Sequence, residues 1–248
     1  MKIYIFSKRN LKEILRDPIN LFFGLAFPLV LLFLLSVINA NIPPEANNPM
    51  FEINNIAPGM AVFGTVFMAL FAGMLLAKDR SSSFLIRLFT SPMSAIDFLL
   101  GYTIPMLIMV VVQATITLVT ACIFGLPINV NIFLAVFVTV LSSFLFIGIG
   151  LLCGSIMNEK AVGGICGALL TNVTGWLSGM FIPIDLIGGG FQTVTHILPF
   201  YHSIKAIKAV LAGDLIAILP HIGIVFAYTI VIYFIAILSF RKTMYGDN

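Results

Sequence analysis

Apolar positions in this chain come in long unbroken runs, not in the alternation of a strand or the single stripe of a soluble helix. Six such runs stand out, at about 19–38, 57–77, 98–121, 132–157, 161–182 and 217–240. Each is close to the ~20 residues an α-helix needs to cross the hydrocarbon of a bilayer. Their length and continuity predict helices, since barrel strands would be short and alternating. The first run is read as an uncleaved span. Its core is about twice the usual length of a signal-peptide core, and Ile38 stands where a cleavage site wants a small residue.

The segments between the runs carry the amphipathic patterns. Residues 2–17, "KIYIFSKRNLKEILRD", put Ile3, Tyr4, Leu11, Ile14 and Leu15 on one helical face and Lys8, Arg9, Lys12, Glu13 and Arg16 on the other. Ile5 and Phe6 fit neither face. Pro18 disfavours helix at Asp17, so a break is expected there. A basic amphipathic helix before a span is expected in the membrane interface, its cations toward headgroups or toward a cytoplasmic partner. Midway, "KDRSSSFLIRLFTSP" (78–92) spaces Arg80, Ser83 and Arg87 on one face beside Phe84, Leu85 and Leu88, with Thr90, Ser91 and Pro92 as a stop. So short a helix does not stand alone; headgroups or a protein groove must hold it. Before the last run, Pro183, Gly188, Gly189, Gly190 and Pro199 break an otherwise apolar stretch. Irregular backbone at membrane depth must be buried in protein or face water. The expectation is a re-entrant hairpin of short helices, about 181–187 and 191–197, dipping in from the outer face. A third helix over about 200–212 places His202 and Lys205 one turn apart, where contact with outer headgroups is expected ahead of substrate binding.

Composition agrees. The chain is 60% hydrophobic and 9% charged, against roughly 25% charged for a soluble domain, so lipid is its solvent. A net charge of +3 is too small to suggest nucleic acid, but its placement orients the chain. Lys2, Lys8, Arg9, Lys12, Arg16, Lys78, Arg80, Arg87, Lys160, Arg241 and Lys242 fall on one side of the six runs; only Lys205 and Lys208 fall on the other. Both termini and the central segment are therefore expected in the cytoplasm. The picture is one all-α polytopic domain, 1–248.

Several chemistries are absent. No G-x-x-x-x-G-K-[ST] loop exists to hold nucleotide phosphates, and His196, His202 and His221 lack H-E-x-x-H spacing. Cys122, Cys153 and Cys166 sit singly in apolar runs, as small buried residues. Gly175–Trp176–Leu177–Ser178–Gly179 has one residue too many before the serine for an intramembrane protease motif. No metal, cofactor or catalytic group is expected. Few charges lie within the runs, which weakens an ion-coupled carrier. Gln113, Ser142, Ser143, Thr171, Asn172 and Thr174 are the polar side chains able to line a path or to bond between helices, and Gly163, Gly164 and Gly167 allow close helix approach.

Three strings carry a resemblance: "RNLKEILRDPINLFFGLAFPLVLLFLL", "AKDRSSSFLIRLFTSPMSAIDFLLGYTIPMLIMVVVQ" and "GMFIPIDLIGGGFQTVTHILPFYHSIKAIKAVLAGD". In that order and spacing they resemble the ABC type-2 permeases, six-span subunits of bacterial exporters in the inner membrane. The resemblance implies half of a dimeric pathway, completed by a second copy or a paralogue, with spans one and five at the seam. It implies separate ATPase subunits that hold ATP and magnesium. The coupling helix would be about 79–90, with Asp79, Arg80, Ser83, Phe84 and Arg87 as contacts. Glu159 and Lys160 would make a further contact, and the amino-terminal helix with Lys8, Arg9, Lys12 and Arg16 another. The function implied is export of an amphiphilic or lipophilic substrate such as a drug, antibiotic, lipid or peptide. The competing readings are an ATP-independent carrier or channel, and a membrane sensor or scaffold that transports nothing.

Overall fold

A computed structural model describes residues 2–43, 49–82, 84, 85, 88, 92–181 and 184–245. Its regular structure is helical throughout the described residues. An amino-terminal helix α1 (Lys2–Leu15) is followed by α2 (Pro18–Ala40), α3 (Ile53–Ser81), α4 (Ala95–Ile123) and α5 (Asn131–Ile156). Then come α6 (159–177), the short α7 (Ile184–Ile187) and α8 (Gly189–Ile197), α9 (Pro199–Ala212) and α10 (Leu215–Tyr245). Among the described residues, α2, α3, α4, α5 and α10 are long and apolar enough to cross a membrane. The chain is a multi-pass membrane protein. The fifth expected run, 161–182, is helical over 159–177 but leaves the helix at Ser178 and contains a π-helical stretch, Gly163–Leu169. Its glycines, threonines and Asn172 dilute its apolar character, and it is not among those five.

Local chemistry sets the ends. Asp17 caps α2 by accepting hydrogen bonds from the Ile19 and Asn20 amides, with Pro18 at the first helical position. Ser94 and Asp97 form a capping box at the start of α4. Helices α3 and α4 overrun the expected limits of 57–77 and 98–121, because hydropathy marks the part in hydrocarbon while the helix continues into the interface.

Helix α3 is the hub, almost wholly buried, whereas α2 and α10 are mostly exposed. It packs against α5 and α4, while α5 also carries α9 and α10. The α3–α5 seam depends on glycine. A Cβ on Gly150 would strike the backbone carbonyl of Ala69, and one on Gly154 the carbonyl of Gly73. Gly150 and Gly154 form the small-xxx-small spacing that lets membrane helices touch backbone to backbone.

The face that α1 buries differs from the expected one. Phe6, Ser7, Asn10 and Ile14 are buried, while Tyr4 is 67% and Leu15 50% exposed. The two residues that fitted neither face part company: Phe6 enters the protein, and Ile5 stays out. Phe6 sits edge-on to Phe98 and Tyr102 at 5.6 and 5.1 Å, in a notch that only the missing side chain of Gly101 leaves open. Asn10 donates to the Gly101 carbonyl at 3.1 Å. In a bilayer, apolar periodicity marks the surface that meets lipid as readily as the surface that meets protein.

Candidate functional site: the ion-pair cluster at the α1 end

Three helices and the start of the central segment meet where α1 crosses the ends of α3 and α4. Arg9 is the centre. Its Nη1 lies 2.5 Å from Asp79 Oδ2, its Nη2 3.0 Å from Asp79 Oδ1, and Nη2 also 2.7 Å from Glu13 Oε2. The two-pronged geometry is the strong form of an arginine–carboxylate pair. Tyr102 Oη donates to Asp79 Oδ2 at 2.9 Å, and Lys78 Nζ donates to Glu13 Oε1 at 2.9 Å. The face of Phe84 lies 4.3 Å from the Arg9 guanidinium carbon, within reach of a cation–π attraction. Burial alone pulls the Arg9 pKa down, but the hydrogen bond and charge of Asp79, with Glu13 behind it, outweigh that and hold it above its ordinary value. The guanidinium is therefore a permanent charge, and Asp79, 3% exposed, is its counter-ion in the protein.

The expected docking residues divide. Asp79 and Arg80 belong to the last turn of α3, which ends at Ser81 before the extended Ser82. Asp79 faces inward to Arg9. Arg80 holds the end of α5: its guanidinium donates to the Ser155 carbonyl and, at 2.7 Å, to the Met157 carbonyl, where helix carbonyls lack partners and the helix dipole favours a cation. Of the central helix, Phe84, Leu85 and Leu88 are described; Ser83 and Arg87 lie outside the described residues. Lys8, Lys12 and Arg16 are exposed and, with Arg9, Lys78 and Glu159, line a cleft of about 870 Å³ between α1 and α3. Glu159 and Lys160 are exposed in the first turn of α6, behind the Asn158 cap.

The polar candidates in the spans are not gathered at one place. Gln113 is 1% exposed, donates to Thr117 Oγ1 at 3.1 Å, and keeps a buried Oε1 with no partner. Ser142 is buried, its hydroxyl also without a partner. Thr171 bonds back to the Gly167 carbonyl, and Asn172, exposed, to the Ala168 carbonyl at 2.8 Å.

At the opposite end, the three histidines come together. His202 donates from Nε2 to the His196 carbonyl at 2.8 Å, so its Nδ1 is the acceptor for His221 Nδ1–H, also at 2.8 Å. His202 is thus buried among protein groups and does not face headgroups as expected, because its partners stand on the neighbouring helices α8 and α10.

Sequence reading missed the Arg9–Asp79–Tyr102 triad. The available signal was a lone carboxylate at the end of an apolar helix and a lone tyrosine in the next one. Replacing Tyr102 with phenylalanine is expected to cost about 1 kcal/mol, one buried hydrogen bond, read as a lower denaturation midpoint of the purified protein.

Apolar helices tied at one end by a buried ion pair, beside an exposed basic cleft, define a multi-pass membrane protein with a polar face at that end. A family model described as ABC-2 type transporter matches residues 1–212. The chain belongs to that family. It is also similar to Nodulation protein J of Rhizobium meliloti (strain 1021), 36% identical over 70 residues, which are 28% of this chain and 27% of that protein. The likeness therefore spans only about a quarter of that relative's length.

Proposed function

We propose that this chain is the membrane-spanning permease subunit of an ATP-driven exporter, moving an amphiphilic or lipophilic cargo outward under power from a separate ATPase subunit. Membership of the ABC-2 type transporter family supports the class. The single observation that carries the mechanism is the Arg9–Asp79 pair with Tyr102 behind it. It ties α1, α3 and α4 into one block, and through Phe84 it grips the start of the central segment. A force applied beneath α1 or after Ser82 then moves α3, the hub of the bundle, as a rigid body.

In this reading 159–177 is the fifth of six spans, and 184–197 is a re-entrant hairpin at the outer face. Both termini lie in the cytoplasm of a bacterial inner membrane. The exposed docking groups are Lys8, Lys12, Arg16, Glu159 and Lys160; Asp79, Arg80 and Arg9 transmit from within. A second copy or a paralogue completes the path. The exposure of α2 and the open space around Gly163 and Gly164 support a seam there. ATP and magnesium reside on the partner.

The test is reconstitution with the ATPase partner in vesicles. Charge reversal at Glu159 and Lys160 together is expected to leave ATP hydrolysis in place and to slow cargo movement by about tenfold, roughly 1.4 kcal/mol of lost coupling. Undiminished transport in vesicles lacking any ATPase overturns the reading in favour of a carrier or channel. If the reconstituted pair hydrolyses ATP and no cargo moves under any condition, a sensor or scaffold is favoured.

A further inference from the structure

At the end of the bundle opposite the ion-pair cluster, a cavity of about 200 Å³ is lined by Met50, Asn55, Ser178, Tyr201, Lys205 and Lys208, among others. Three features of it are unusual together. Two lysines share it, and among the described residues neither makes an ion pair. Among the described residues no carboxylate lines it. Ser178 is 2% exposed, and its hydroxyl has no hydrogen-bond partner. A protein rarely leaves a buried hydroxyl unpaired beside uncompensated positive charge, since both are costly.

We propose that this cavity is a binding site for an oxyanion group, a phosphate or a carboxylate, held between the Lys205 and Lys208 ammonium groups with the Ser178 hydroxyl donating to it. The cavity is smaller than the 300–1,000 Å³ usual for a drug-sized ligand, so it holds a headgroup and not a whole molecule. Lys205 already leans on the ring face of Tyr201, 5.4 Å from its centroid, and Tyr201 is stacked on His196 at 4.6 Å. The lysine is therefore positioned before any anion arrives. Burial, and then the neighbouring Lys205 charge, pull the pKa of Lys208 down to about 8. A bound anion reverses the second of these and restores the charged form. The same chemistry can come from the headgroup of an anionic lipid or from a free oxyanion, including one carried by cargo.

The test uses the lowered Lys208 pKa as its readout. The full chain in zwitterionic nanodiscs is treated with an amine-acylating reagent at pH about 8, and labelling of Lys208 is followed by mass spectrometry with exposed Lys160 as internal control. Inorganic phosphate at about ten times its Kd is expected to slow Lys208 labelling about tenfold at matched ionic strength, leaving Lys160 unchanged. Ser178→Ala and Lys205→Met are each expected to shrink that protection. Slowing by phosphatidylglycerol in the nanodisc without slowing by phosphate identifies a lipid headgroup as the occupant; slowing by phosphate identifies a free oxyanion. If neither slows Lys208 relative to Lys160, or if both variants keep full protection, the site does not exist.

Discussion

Asp79→Ala is expected to cost this protein about 2–4 kcal/mol and most of its transport. The substitution removes the carboxylate that accepts from both arms of the Arg9 guanidinium and from Tyr102. Breaking a buried pair by removing one partner typically costs about 3–5 kcal/mol, because a charge is left uncompensated. Water reaches part of Arg9 and Glu13 remains beside it, which trims the figure. The denaturation midpoint of the purified protein is the direct measurement. Two companions separate charge from shape. Asp79→Asn retains an acceptor for Tyr102 and is expected to lose less. The double variant Arg9→Met with Asp79→Leu removes both charges, and is expected to recover much of the stability of Asp79→Ala while failing to restore transport. Should Asp79→Ala match the parent in stability and in ATP-driven cargo movement, the tie between α1 and α3 plays no part in either.

Gly150→Val is the other large effect, and it acts on packing alone. The new side chain would point into the backbone carbonyl of Ala69, where no rotamer relieves the overlap. Overpacking usually costs about 1–3 kcal/mol. Here the expectation is the upper end or beyond, since the obstacle is backbone and α3 is the buried hub that packs against α2, α4 and α5. Gly164→Ala is the control: nothing lies within 4 Å of where its Cβ would be, and no loss is expected in the isolated chain. Equal denaturation midpoints for the two variants would refute the account of the α3–α5 seam.

Particular residues show why some of this was legible in the sequence and some was not. The Asp17–Pro18 break rests on local chemistry, and it and five of the long apolar runs lie where the pattern puts them. The break-up of the stretch before the last helix into Ile184–Ile187, Gly189–Ile197 and Pro199–Ala212 was likewise announced by its glycines and prolines. Which side of α1 enters the protein was not legible, because a helix between lipid and protein has two apolar surroundings and periodicity does not tell them apart. Phe6 became a core residue only because Gly101, far along the chain, leaves space for its ring. Arg9 and Asp79 were assigned to two separate outward surfaces, and folding turned them toward each other. Arg80, placed with the docking face, closes the end of α5. The G-x-x-x-G of Gly150 and Gly154 stood in plain sight, but its partner helix could not be named from spacing.

By itself, the sequence determined that this is a helical protein living in a membrane, in what part of the chain its five long apolar helices lie, and that no nucleotide loop of the usual kind is present in it. Those properties follow from hydrophobic length, backbone capping and motif chemistry, all of which act over neighbouring residues. Only the tertiary structure decided which charges are buried pairs and which remain free to meet a partner, and which glycines are contacts. It also decided that Ser178 and two lysines share a cavity. Such choices depend on which helix lies against which, and in a bilayer that is set by close packing and the need to pair every buried charge, not by hydropathy, which is much the same on every span.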